Sequence, residues 1–226
     1  MNLCVFNGSP RGRKGNTEVL LERFLHGFRE APGTSCERLY LNRRGEQERF
    51  RSAFAAADSV LVAYPLYTDA MPGIVKQFIE TLAPLCADQG QKPTLVFLVQ
   101  SGFPEAAHSR YVERYHEALA RRLGCPYLGT IIRGGVEGIQ SRPERMSRRL
   151  FARFEELGRR FGRSGVLDAE LLDSLARPER LPGWVCLLLR LMSLTGLTNL
   201  YWNWALKANG AYARRFARPY GPDQAG

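Results

Sequence analysis

Apolar residues fall along the chain in two alternating arrangements. Four short runs, Leu3–Phe6, Val60–Tyr64, Thr94–Val99 and Tyr127–Ile132, are β-rich and carry no polar alternation. That is the pattern of strands buried on both faces. Between them apolar residues recur at helical spacing: Leu21, Phe24, Leu25 and Phe28, then Val75, Phe78, Ile79 and Leu82, then Val112, Tyr115 and Leu119. Cys36–Leu41 is a weaker strand candidate, followed by a short helix over Gln47–Ala57. A last stripe, Met146, Leu150, Phe154, Leu157 and Phe161, is set among arginines and predicts a fifth helix between Arg142 and Arg163.

Strands alternating with helices at this spacing predict right-handed βαβ units and a parallel sheet covered on both sides. The expected fold class is α/β, a doubly wound five-stranded sheet of flavodoxin-like order 2-1-3-4-5, occupying residues 1–164. Residues 165–226 read as a helical C-terminal extension, opening with a linker-like stretch and a short helix at Asp168–Ala176. In such sheets ligands bind outside the carboxyl ends of the strands, where the winding reverses. The loops after each apolar run are therefore the ones to inspect.

The first of them is Gly8-Ser9-Pro10-Arg11-Gly12-Arg13-Lys14-Gly15-Asn16-Thr17. It matches neither the dinucleotide nor the Walker glycine pattern. It nevertheless combines glycines, neutral donors at Ser9, Asn16 and Thr17, a helix N-terminus and the Arg11 fork, the elements of an anion site. An ordinary turn with Asn16 or Thr17 capping the helix is the simpler alternative. After the third strand, Pro65-Leu66-Tyr67-Thr68 leads to Met71-Pro72-Gly73. This proline-framed aromatic loop is suited to supporting a planar ring and offering backbone N–H groups to its edge, with a plain structural loop as the competing account. Gln100-Ser101-Gly102-Phe103-Pro104-Glu105 and Arg133-Gly134-Gly135-Val136-Glu137-Gly138 follow the last two strands. Four consecutive strand ends thus carry ligand-compatible loops on one edge.

Charge adds one local point. The 226 residues hold 32 Lys and Arg against 22 Asp and Glu, a net +10. Half of that surplus lies between Arg142 and Arg163, where eight arginines face three glutamates on the polar side of one helix. No aromatic interleaving or nucleic-acid module accompanies it, so no nucleic-acid partner is expected. Arg11, Arg13 and Lys14 instead cluster at the first loop, where an anionic ligand would sit. Cys4, Cys36, Cys86, Cys125 and Cys186 form no C-x-x-C pair, which argues against a zinc site and for a reducing, cytoplasmic setting. The first residues lack a basic n-region and read as a strand rather than a signal peptide. His26, His108 and His116 have no partners at metal or triad spacing and read as surface or half-buried helix residues, the last two on the fourth helix.

The strand-end residues resemble the NAD(P)H-dependent FMN reductase family of the flavodoxin-like superfamily. The likeness rests on Asn7-Gly8-Ser9-Pro10-Arg11 with Gly15-Asn16-Thr17, on Pro65-Leu66-Tyr67 with Met71-Pro72-Gly73 and Lys76, and on Ser101-Gly102. It covers roughly residues 1–164. The resemblance implies that Ser9, Arg11, Asn16 and Thr17 hold the FMN phosphate and that Pro65, Leu66, Tyr67 and Thr68 support the isoalloxazine ring. Ser101, Gly102 and Phe103 would flank its other side, with Gly135 beside them. It also implies hydride transfer from NAD(P)H to flavin and on to a small acceptor such as a quinone or nitro compound, without a catalytic acid from the protein. One branch of the family inserts a cysteine cluster after the second strand; Leu41–Gln47 holds no cysteine, so no iron–sulfur cluster is expected. Two other classes stay open: a flavodoxin-type electron carrier, although such carriers are generally acidic, and a membrane-peripheral module that has lost its cofactor.

The extension contains the apolar run Trp184–Leu194, interrupted by Arg190 and followed by Thr195-Gly196. It is short of the ~20 residues a spanning helix needs. Burial against the core or against a second subunit of a homo-oligomer is one reading. Membrane-surface contact through 184–206, with Trp184, Trp202 and Trp204 at the interface, is the other. Trp202–Lys207 with Arg218-Pro219-Tyr220 resembles the endings of one group of these oxidoreductases.

Overall fold

A computed structural model describes residues 1–87 and 90–218; Pro219 and Tyr220 of the ending above lie outside the described residues. The elements run β1 (Asn2–Asn7), α1 (Asn16–Arg29), β2 (Ser35–Tyr40), α2 (Gln47–Ala56), β3 (Ser59–Pro65), α3 (Gly73–Thr81) and β4 (Thr94–Gln100). They continue with α4 (Arg110–Leu123), β5 (Tyr127–Arg133), α5 (Glu144–Ser164), α6 (Ala169–Leu175), α7 (Gly183–Leu194) and α8 (Leu200–Ala208). The five strands form one sheet in the order β2-β1-β3-β4-β5. Each neighbouring pair is parallel. Each expected strand is present, with its ends shifted by a residue or two.

Alternation divides the sheet between two cores. Leu3 and Val5 of β1 point to the side covered by α1 and α5, whereas Cys4 and Phe6 point to the side covered by α2, α3 and α4. All seven residues of β3, the central strand, are buried. Strand β4 meets β5 with a register break between Leu95 and Val96, and Gly129 across from it takes a positive φ of 139°.

Helices α1 and α5 cross at backbone contact. A Cβ on Gly27 would lie 1.8 Å from the Glu155 carbonyl oxygen, and one on Gly158 would lie 1.9 Å from that of Phe24. The Phe161 ring then packs 5.9 Å from Phe24 and 6.0 Å from Phe28.

The structure corrects several expectations. The buried residues of α5 are Ser147, Phe151, Phe154, Leu157, Gly158 and Phe161, with Leu150 half-buried against the same core, while Met146 is 68% exposed. The helical period fits that set, and the chemically apolar Met146 falls one position off it. Tyr115 of α4 is likewise 40% exposed, whereas Val112 and Leu119 are buried. His108 sits in a 3-10 turn, Ala106–Ser109, ahead of α4. His116 is wholly buried.

The chain divides into two compact units, Met1–Arg180 and Leu181–Gly226. The stretch 165–180, counted above with the extension, thus falls in the first unit. Leu167 and Leu175 join its core. Asp168 caps α6 by accepting from the Leu171 amide at 2.9 Å. Within the second unit α7 and α8 are joined through a 3-10 turn, Leu197–Asn199, and bend by 87°. Among the described residues no single helix is long and apolar enough to cross a membrane.

Candidate functional site

Four strand ends converge on one cleft. Ser9, Arg11 and Asn16 reach it from the loop after β1, Pro65, Leu66 and Tyr67 from that after β3, Gln100, Ser101 and Gly102 from that after β4, and Glu137 from that after β5. Strand β1 pairs with both β2 and β3 here, so the winding reverses at this point. The space between the loops is only about 90 Å³. A larger hollow of about 450 Å³ lies between α4, β5 and α6, lined by Tyr127, Gly129 and Thr130. It borders the amino-terminal half of β5, away from the strand ends that bind ligands in this architecture.

The loop after β1 is held from beneath by a buried carboxylate. Glu18 accepts from Asn7 Nδ2 at 2.7 Å and from the Tyr40 hydroxyl at 2.7 Å, and pairs with Arg38 at 2.9 Å. Asn7 Oδ1 in turn accepts from the Ser9 amide at 2.9 Å. Burial, and then the bond to Glu18, raise the Tyr40 phenol above its ordinary pKa. A Cβ on Gly15 would sit 2.5 Å from Ser9 Oγ, so glycine lets the helix start this close without displacing the serine hydroxyl. Gly15 occupies the N-cap position of α1 and no side chain caps that end. Neither Asn16 nor Thr17 acts as a cap, which leaves first-turn N–H groups beside Ser9.

Asn16 and Thr17 do something else. Asn16 borders the cleft, but its Nδ2 donates to the Val136 carbonyl at 3.2 Å and its Oδ1 accepts from Gln140 at 3.0 Å. Thr17 is fully buried, its hydroxyl accepting from Gln100 Nε2 at 3.2 Å. Both side chains lock the first loop to those after β4 and β5. Of the three clustered cations only Arg11 lines the cleft. Arg13 lies over the Tyr40 ring at 5.2 Å.

The loop after β3 is a tight turn. Tyr67 and Ala70 exchange backbone bonds at 2.9 and 3.1 Å, with Thr68 and Asp69 at φ 49° and 59° between them. Such turns ordinarily carry Asn or Gly. A β-branched residue held there costs about 1–3 kcal/mol, a strain that clusters at functional sites. The expectation of open amides is corrected at two positions: Leu66 donates to the Gln100 carbonyl at 2.8 Å and Tyr67 to Ala70. Among the described residues, the Thr68 and Asp69 amides at the tip donate to no backbone carbonyl. Thr68 itself stands outside the cleft wall.

The remaining loops zip together above β4 and β5. Ser101 donates to the Arg133 carbonyl at 3.0 Å, Val136 to that of Ser101 at 3.1 Å, and Gly135 to that of Phe103 at 2.8 Å. Gly135, at φ 70°, forms this turn and is not part of the wall. Phe103 is also off the wall, 62% exposed and packed 4.9 Å from the His108 ring. Gln100 and Glu137 belong to the cleft although neither was singled out above. A polar residue closing a strand buried on both faces was the available signal for Gln100. Glu137 had only its neighbouring glycines.

Behind the cleft runs a buried polar chain. The Tyr64 hydroxyl bonds His116 Nε2, His116 Nδ1 bonds Thr130 Oγ1 at 2.8 Å, and the Tyr127 hydroxyl bonds Thr130 Oγ1 at 2.8 Å. The imidazole stacks on Phe97 at 3.8 Å. Burial pushes the His116 pKa down to about 3, so the ring is neutral at physiological pH. Among the described residues no group of His, Cys, Asp and Glu is arranged to hold a metal ion.

Compared with known proteins, residues 1–156 match the family described as flavodoxin-like fold. No curated protein matches the sequence. Among solved structures, an NADPH-quinone reductase from P. pentosaceus superposes with a TM-score of 0.53, at 17% identity over 69% of this chain and 96% of its own. An NAD(P)H:quinone oxidoreductase from Methanothermobacter marburgensis gives 0.54, at 18% identity over 71% and 96%. An FMN-dependent NADH-azoreductase from Bacillus anthracis str. Ames Ancestor, in complex with FMN, gives 0.53, at 13% identity over 71% and 99%. At these identities the likeness is one of fold.

Proposed function

Because the chain belongs to the flavodoxin-like fold family, we propose that it is an FMN-dependent oxidoreductase that takes a hydride from NAD(P)H and passes it to a small acceptor such as a quinone or nitro compound. The observation that carries this reading is the cleft at the winding reversal, where four loops bring together an uncapped helix N-terminus, a buried serine and an arginine. The local fit to FMN supports it. A phosphate needs close backbone approach and converging hydrogen-bond donors. The position of Gly15 against Ser9 Oγ supplies the first, and Ser9, Arg11 and the amides opening α1 supply the second.

Pro65, Leu66 and Tyr67 would support a planar ring on one side, with Ser101 and Gly102 on the other. Glu137 places an acceptor at that end and Gln100 an amide, fixed by its bond to Thr17. When bound, FMN supplies the hydride-accepting and hydride-donating chemistry. The protein's part is to orient and to exclude competing positions, and no side chain in the cleft needs to move a proton. The space between the loops, about 90 Å³, is smaller than a flavin, so the cleft residues would hold part of the cofactor. A separate hollow of about 410 Å³, lined by Asp69, Ala70 and Met71 from the turn after β3 and by Tyr111 and Tyr115 of α4, offers aromatic surface to a planar acceptor.

The test is direct. The purified protein takes up FMN on titration and oxidises NADPH when a soluble quinone is added; Arg11→Ala weakens FMN binding by roughly tenfold or more, the worth of one charge-assisted contact. Absence of FMN uptake by the unaltered protein overturns the reading. FMN uptake without direct reduction by NADPH in a stopped-flow experiment assigns the electron-carrier role instead.

A further inference from the structure

The second unit leaves its apolar side chains on the surface. On α7, Trp184, Leu187, Leu188, Leu191 and Leu194 recur at helical spacing and are between 48% and 80% exposed. Leu197, Leu200, Tyr201 and Trp204 continue the pattern through the turn and α8, between 48% and 62% exposed. No residue of either helix is buried. Exposed apolar surface of this extent on a water-facing element marks an interaction face.

Charge identifies what covers it. Residues 181–218 contain Arg190, Lys207, Arg214, Arg215 and Arg218 and no aspartate or glutamate. All three tryptophans of the chain, Trp184, Trp202 and Trp204, lie here as well. Apolar stripes, interfacial aromatics and unopposed cations are together the chemistry of an anionic lipid surface. We propose that this unit docks on anionic bilayers, with α7 and α8 lying in the headgroup region and their stripes turned toward the acyl chains.

Two other geometries fit less well. Spanning is disfavoured because the helical arms 183–194 and 197–208 are each about 18 Å long, against ~30 Å of hydrocarbon, and meet at 87°. A symmetric contact with a second copy sets the same patch against itself. In that arrangement the five cations oppose their own equivalents with no carboxylate in residues 181–218 to pair them. The inference uses no residue of the cleft and does not depend on the flavin.

Tryptophan emission reports on this unit alone, because the chain has no tryptophan outside it. The full chain is mixed with vesicles of phosphatidylcholine containing phosphatidylglycerol, and with phosphatidylcholine alone. The expected result is co-sedimentation and a blue shift with the anionic vesicles, both reduced by added salt. Arg214→Gln with Arg215→Gln lowers partitioning by roughly twenty-five-fold, since each cation near such a surface contributes about a factor of five. Leu188→Asp with Leu191→Asp abolishes the blue shift; these are exposed positions, and an unchanged far-UV spectrum verifies that the variant is folded. Two results overturn the proposal: protein that stays in the supernatant with unshifted emission, or emission already blue-shifted in a concentration-dependent dimer that ignores vesicles.

Discussion

His116 shows how one side chain's meaning depends on what surrounds it. In the sequence it is a lone histidine on a helical pattern; in the fold it is sealed between Phe97, Tyr64 and Thr130. The folded pKa of about 3 lies below the ordinary value of 6.5. The unfolded chain therefore binds a proton that the folded chain refuses. Stability from this residue is complete above about pH 6.5 and falls as the pH drops toward about 3, by up to ~1.4 kcal/mol per pH unit. Denaturation by urea across that range should give a falling free energy for the unaltered protein and a flatter profile for His116→Gln. A profile equally steep in both would move the cause elsewhere. Glu18 is a second case, a first-turn acid by sequence that proves to be the buried anchor of Asn7, Tyr40 and Arg38.

At the scale of elements, the crossing of α1 and α5 is set by small residues rather than large ones. Gly27 and Gly158 each leave no room for a methyl group, because the obstacle is the carbonyl of the opposing helix. Side chains can shift to relieve overpacking, but backbone atoms in a packed helix cannot do so cheaply. Gly27→Ala or Gly158→Ala is expected to cost about 3 kcal/mol or more, read from the urea midpoint. Gly73, at the start of α3 with nothing within 4 Å, is the control: Gly73→Ala should leave stability unchanged or raise it by up to about 1 kcal/mol. Equal losses at the three positions would contradict the packing account.

Across the whole molecule, the cleft and the apolar helices belong to different compact units, and their chemistries should separate. Arg11→Ala is expected to lose FMN affinity while keeping vesicle binding, and Leu188→Asp with Leu191→Asp the reverse; titration and co-sedimentation on the same preparations read both. Loss of both properties in either variant would mean that the units do not act independently. By itself the sequence determined the five strands, their parallel winding and the edge on which loops converge, because uninterrupted apolar runs separated by helical stripes leave a chain few other ways to bury its surface. It also marked most of the cleft, Ser9, Arg11, Pro65, Leu66, Tyr67, Ser101 and Gly102, since these follow strand ends directly. Only the tertiary structure decided that Asn16 and Thr17 tie loops together, that Gln100 and Glu137 join the wall, and that residues 165–180 pack with the core. Those outcomes depend on which atoms come within hydrogen-bond or van der Waals reach across a hundred residues, and periodicity along a chain carries no record of such distances.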